Sequence, residues 1–299
     1  MNMLKVGLLL IVLTVLFVAV GAWLGGTTGM VIALVVAVGM NLGSYWFSDR
    51  LVLKMTRAGP LTPAEAPWLY RMTERLARQA GIPAPRLYLV PDPQPNAFAT
   101  GRNPKHGVVA LNEGLLDLLS DKEIEGVIAH EIAHIKHRDT LTMAIVASLA
   151  GALMVLINLA QWAMLFGGSE EEEGAPGLLT LLVAALVAPV AAALIQLGVS
   201  RAREFEADAT AAELAGSSDG LIGALLKLEH GAHHVPAGTA RPAMVHMQIV
   251  NGLLSGKSGL KGRLVRLFMT HPPIEARVER LRAHARPGYV GYLFMRAAS

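Results

Sequence analysis

Three stretches of this chain carry no charged residue: Val6 to Ser48, Thr140 to Ser169 and Gly174 to Ser200. A membrane-crossing helix needs about 20 apolar residues. The first stretch is long enough for two, divided at Gly25-Gly26-Thr27-Thr28-Gly29, and the other two hold one each. The pattern predicts four transmembrane helices at about 4–24, 30–47, 141–166 and 178–199, in two hairpins occupying 1–48 and 140–200. A second apolar run follows the first too closely for a cleaved signal peptide. Lys5, Arg50, Lys54, Arg57, Lys136, Arg138, Arg201 and Arg203 all flank one side of these spans. The other side has the neutral glycine turn and the Glu170–Glu173 loop, which reads as a solvated turn rather than a cation site. Basic flanks stay in the cytoplasm. Both termini and the polar segments 49–139 and 201–299 are therefore expected there.

The polar segments change period. Trp68, Leu69, Met72, Leu76 and Ala80 recur at helical spacing within Pro63 to Ala80, and Gly81 ends that helix. Arg86 to Val90, Asn96 to Thr100 and Gly107 to Leu111 are short strand candidates separated by Pro, Gly and Asn. Ser120 with Glu123 three residues on forms a capping box. It opens a helix from Asp121 to at least His137, expected to run on into the third span. Arg201 to Leu214 reads as a helix stopped by Gly216, and Pro272 to Ala285 as a last one with Ile274, Val278 and Leu281 on one face. The segment from His233 to Gly262 is rich in Gly, Pro and Ser. The fold class that emerges is mainly α: an integral membrane protein of four spans with a cytoplasmic, zincin-like α+β domain containing a small sheet.

Composition agrees. Among 299 residues 53% are hydrophobic and 16% charged, with mean hydropathy +0.45; soluble domains average about 25% charge. The absence of Cys excludes disulfides, thiolate ligands and a Cys nucleophile. The net charge of +3 comes without a dense Lys/Arg run interleaved with aromatics, which argues against nucleic acid.

His130-Glu131-Ile132-Ala133-His134 carries the chemistry. Histidines four apart on a helix share a face, so both rings can reach one ion at about 2.0–2.1 Å. Glu131 stands beside the first ligand, where a carboxylate can take a proton from water at the metal. The neighbours Val127, Ile128, Ala129, Ile132, Ala133 and Ile135 are apolar or small, so the segment is expected to be buried. Burying two His and a Glu is costly unless a metal binds them. A third ligand is open among Glu204, Glu206, Asp208, Glu213 and the histidines after residue 229. Spans three and four are neighbours, which brings the Glu204 helix to the same membrane face as the His130 helix. Glu204 is favoured as ligand, with Asp208 accepting a hydrogen bond from a ligand histidine. Glu229 to His234 is a weaker second metal candidate, and His137 is read as structural.

These residues resemble the HtpX-type membrane zinc endopeptidases, relatives of the CAAX prenyl proteases. The resemblance rests on Asn96 to Gly101, on His130 to His134 followed by Lys136 to Asp139, on Ser200 to Asp208, and on Thr270-His271-Pro272-Pro273 with Arg277 and Leu281. It implies one zinc ion per chain on His130, His134 and Glu204, Glu131 as base, and Asp208 supporting the ligands. It also implies a cleft lined by the strand of Asn96, Ala97, Phe98 and Ala99, His271 near the site, and a role in membrane-protein quality control. His271 or Arg203 is the candidate for stabilising the oxyanion. Substrate, a misfolded or membrane protein, would add a strand at the sheet edge near Asn96–Thr100 or Gly107–Leu111. Rival readings are a prenyl-protein protease, with more spans, and a metal transporter or sensor, which needs ionisable groups inside the spans that these lack. The sequence does not specify an oligomeric state.

Overall fold

The computed structural model describes residues 2–141, 201–232 and 272–284, with part of the side chains of the first helix outside that description. The expected spans at 141–166 and 178–199, the Glu170–Glu173 loop, His233, His234 and His271 lie outside the described residues.

The first element, α1 (Asn2–Thr56), is two helices joined at Gly25 and Gly26. Gly26 takes φ 56° with ψ −140°, a conformation open to glycine because it lacks a Cβ. The two arms fold against each other: a Cβ on Gly21 would stand 2.4 Å from that of Ala33 and 2.5 Å from the Gly29 carbonyl. The expected apolar hairpin at 4–24 and 30–47 is thus present as helices. Among the described residues no helix is long and apolar enough to cross a membrane.

After α1 come β1 (Gly59–Pro60), α2 (Pro67–Ala80), β2 (Arg86–Val90), β3 (Ala97–Thr100), a 3-10 turn at Pro104–His106, β4 (Val108–Asn112), α3 (Glu113–Leu118) and α4 (Asp121–His137). The later described helices are α5 (Arg201–Ala215), α6 (Asp219–Ala232) and α7 (Ile274–His284). The sheet runs in the order β1-β2-β4-β3, with β2 parallel to β4 and the other pairs antiparallel. β4 therefore has partners on both sides, so Gly107–Leu111 offers no edge for a substrate strand. Among the described residues β3 is an edge of the sheet.

Side chains alternate across the pleat. Val109, Leu111, Ala97 and Ala99 face the main core with Ile128 and Ile132 of α4 and Leu69 and Leu76 of α2. Val108, Ala110, Phe98 and Val90 face the opposite way and pack on Val52 and Leu53 at the end of α1. The sheet is thereby clamped between the hairpin and the metal helix.

Several sequence expectations are corrected here. α2 begins at Pro67; Pro63 to Ala66 form a turn held by Glu65 on the Thr62 amide and hydroxyl. α4 ends at His137, where Arg138 adopts a left-handed φ of 61°; the chain is helical again at 139–141, and the rest of the expected continuation lies outside the described residues. The short β1 and the helices α3 and α6 escaped the periodicity reading.

Candidate metal centre

The Ser120 capping box starts α4: the Ser120 amide and hydroxyl both donate to Glu123 Oε2 at 2.8 Å. Two and a half turns later the helix is enclosed by β3, α2, α5 and α6. The fit against α6 is close enough that a Cβ on Gly126 would meet the Leu221 amide nitrogen at 2.4 Å. This burial leaves His130, Glu131 and His134 at 2, 4 and 4% exposure.

Both ligand rings point the same way. Their Nε2 atoms lie 3.2 Å apart. From α5, Glu204 Oε1 comes to 3.5 Å from His134 Nε2 and Oε2 to 3.7 Å from His130 Nε2. Donors at about 2.0–2.1 Å from one tetrahedral zinc stand about 3.3 Å apart. The cage has that size.

The opposite nitrogens fix the donor set. His130 Nδ1 is 3.0 Å from Asp208 Oδ1 and His134 Nδ1 is 3.2 Å from Asp139 Oδ2. Carboxylates accept, so each Nδ1 holds the hydrogen and each Nε2 turns a lone pair to the point that Glu204 faces. Four electron-rich atoms converge on one point, an arrangement that suits a cation. Formal charge agrees: Glu131, Asp139, Glu204 and Asp208 against Arg203 and Arg277 leave two negative charges, the amount one divalent ion cancels. His130, His134 and Glu204 are the group among the described residues that could hold a metal.

Each aspartate is held in turn by an arginine. Arg277 of α7, with 0% exposure, donates from Nε and Nη2 to Asp208 at 2.9 and 2.6 Å. Arg203 Nε is 3.3 Å from Asp139 Oδ1. Burial works against both charges at the Asp208–Arg277 contact. The guanidinium nevertheless wins, aided by His130, and keeps Asp208 at about 2, while Asp208 with Glu204 and Glu131 raises Arg277. Without a metal, burial disfavours a charged His134, yet Asp139, Glu204 and Glu131 outweigh it and lift the ring to about 9, so a bound cation takes the place of the proton on Nε2. The site pulls positive charge inward.

Asp208 thus supports a ligand as expected. Asp139, which the sequence marked only as the end of the Lys136–Asp139 run, is 1% exposed and orients His134. Arg203 contacts Asp139. Asn96, at 8% exposure, leads into β3, where Ala97 and Ala99 face the core shared with α4 and Phe98 faces α1. Glu229 and His230 are not in a loop: they end α6, where His230 is exposed and its Nδ1 sits 2.7 Å from the Leu226 carbonyl.

The sequence profile of Peptidase family M48 matches residues 63–285. The chain belongs to that family. Among curated relatives, the Protease HtpX homolog of Syntrophobacter fumaroxidans is 50% identical over 278 residues, covering 92% of this chain and 96% of that protein. Those of Pelotomaculum thermopropionicum and Pyrococcus furiosus are also 50% identical, covering 95% and 93% of this chain and 100% and 94% of theirs. Among solved structures, S. mikatae Ste24p aligns with a TM-score of 0.47 at 21% identity, over 84% of this chain and 57% of that one. As an M48 peptidase this chain is a zinc metalloprotease, and His130, His134 and Glu204 are positioned to bind the metal. The transporter reading is thereby set aside.

Proposed function

We propose that this M48 peptidase is an endopeptidase anchored in the bilayer, cutting misfolded or misassembled membrane proteins at the cytoplasmic face. The observation that carries the chemistry is the buried convergence of His130, His134 and Glu204 beside Glu131. His130, His134 and Glu204 would hold a zinc ion, which would lower the pKa of water towards neutrality and polarise a carbonyl. Glu131 takes the proton from the attacking water and returns it to the departing amine. Asp208 and Asp139 hold the two imidazoles in the tautomer that keeps Nε2 free of hydrogen.

The place of β3 at the end of the strand order among the described residues supports substrate binding in extended form, with main-chain hydrogen bonds that select little on sequence. That suits a quality-control enzyme. The membrane anchor is supported by where apolar surface is exposed. Among the described residues, all of the large exposed apolar side chains except Trp68 and Leu226 belong to α1. Soluble surfaces do not leave such a patch uncovered.

Casein cleavage by the purified full chain tests the reading. Glu131→Gln should retain zinc and lose about a hundredfold to ten-thousandfold in rate, the usual contribution of a positioned base. Equal rates in the two proteins reject the assignment.

A further inference from the structure

The last three turns of α1 carry features that the peptidase chemistry does not use. Trp46 and Phe47 are 52 and 55% exposed, and Arg50 follows one turn on with its guanidinium 5.9 Å from the Phe47 ring centre. Arg102, from the connection between β3 and β4, lies 5.0 Å over the Trp46 ring. Arg86 opens β2 beside them, 3.5 Å from Asp49. Lys105 is exposed on the same connection. Cations and exposed aromatic rings thus alternate where an apolar hairpin meets a polar domain.

The connection is fixed rather than loose. Gly101 takes φ +132° and comes so near the His106 carbonyl that a Cβ there would be 2.4 Å away. Its own carbonyl accepts a hydrogen bond from the Thr140 hydroxyl at 2.9 Å. His106 Nδ1 sits 2.9 Å from Asn103 Oδ1, and its Nε2 sits 2.9 Å from Arg102 Nη2. Arg102 is therefore held in place over Trp46. Asp49 offsets one of the four cations Arg50, Arg86, Arg102 and Lys105, which leaves the patch positive.

We propose that this patch is a binding site for the phosphate headgroup of an anionic phospholipid, with Arg50 and Arg102 as its main contacts and Trp46 and Phe47 at the acyl boundary. Guanidiniums suit phosphate because they present paired donors in one plane. Aromatic side chains favour the level of the headgroups. Phosphate ions share the chemistry, but the exposed rings and the apolar arms of α1 select a lipid. The inference rests on the membrane reading above.

The test uses the detergent-solubilised full chain, titrated with short-chain phosphatidylglycerol, phosphatidylcholine of equal chain length, and glycerol phosphate, and followed by tryptophan fluorescence. Phosphatidylglycerol should bind more tightly than phosphatidylcholine. Arg50→Gln and Arg102→Gln should each weaken that binding about fivefold, the usual share of one basic residue near an anionic surface. The Arg→Lys versions of both should restore part of it, through charge without the paired donors, which a folding defect would not. Equal affinity for the two lipids, or unchanged affinity in both glutamine variants, overturns the headgroup site. Glycerol phosphate binding as tightly as the lipid overturns the choice of a lipid. Insertion of the protein into phosphatidylcholine vesicles is measured alongside: failure to insert rejects the membrane reading itself, whereas insertion without headgroup preference rejects this site alone.

Discussion

Arg277 shows how much of the centre is built away from the metal. It is fully buried, it grips Asp208 through two hydrogen bonds, and Asp208 in turn sets His130. Removing one partner of a buried ion pair leaves the other charge without compensation, at about 3–5 kcal/mol. Arg277→Met should lower the urea midpoint of the full chain by a matching amount, and an unaltered midpoint would contradict the pairing. The pair also carries a pH signature. Asp208 ionises near 2 in the fold and near 4 in the unfolded chain. Its contribution of about 2 kcal/mol is complete above pH about 4 and disappears as pH falls towards 2. Arg277→Met should remove that acid-dependent part. The sequence holds a sign of this residue: Ile274, Arg277, Val278 and Leu281 share the buried face of α7, so the arginine interrupts an apolar stripe. Asp139 gave no such sign, because its burial depends on the turn at Arg138, which a local reading does not foresee.

At the level of elements, α4 was legible nearly to its ends because both of its signals are local. The capping box sets the start, and the run of small and apolar residues announces burial. The strands were legible from their turns, but their order was not: β2 pairs with β4 and skips β3, which is a matter of long-range packing. α6 received no assignment from the sequence, where Gly220 and Gly223 interrupt its apolar residues. Gly220 and Gly223 instead lie against α4, where a Cβ on Gly220 would meet the Lys122 carbonyl at 2.2 Å and one on Gly223 the Glu123 carboxylate at 2.8 Å. Gly126 makes the reciprocal approach from α4. Gly126→Ala should therefore force the helices apart and cost about 1–3 kcal/mol, as overpacking usually does. Thermal unfolding checks this; a melting temperature at or above that of the parent protein would show that the contact is looser than described.

For the whole molecule, the question is which side of a bilayer holds the centre. The proposed membrane reading, with the basic flanks on the cytoplasmic side, puts the Gly25–Gly29 turn outside and residues 49–139 inside. Because the chain contains no cysteine, single cysteines report on this without background. In intact cells Thr27→Cys should react with a membrane-impermeant maleimide and Glu74→Cys should not. Labelling of both, or of the second alone, would invert or abolish the topology.

The proposed chemistry requires one ion shared between α4 and α5. Zinc content per chain in purified Glu204→Ala protein, beside the parent, measures this most directly. The parent should hold one zinc and the variant well under one, since two imidazoles alone make a poor site. A full equivalent of zinc retained by the variant would contradict the assignment of Glu204 as the third ligand.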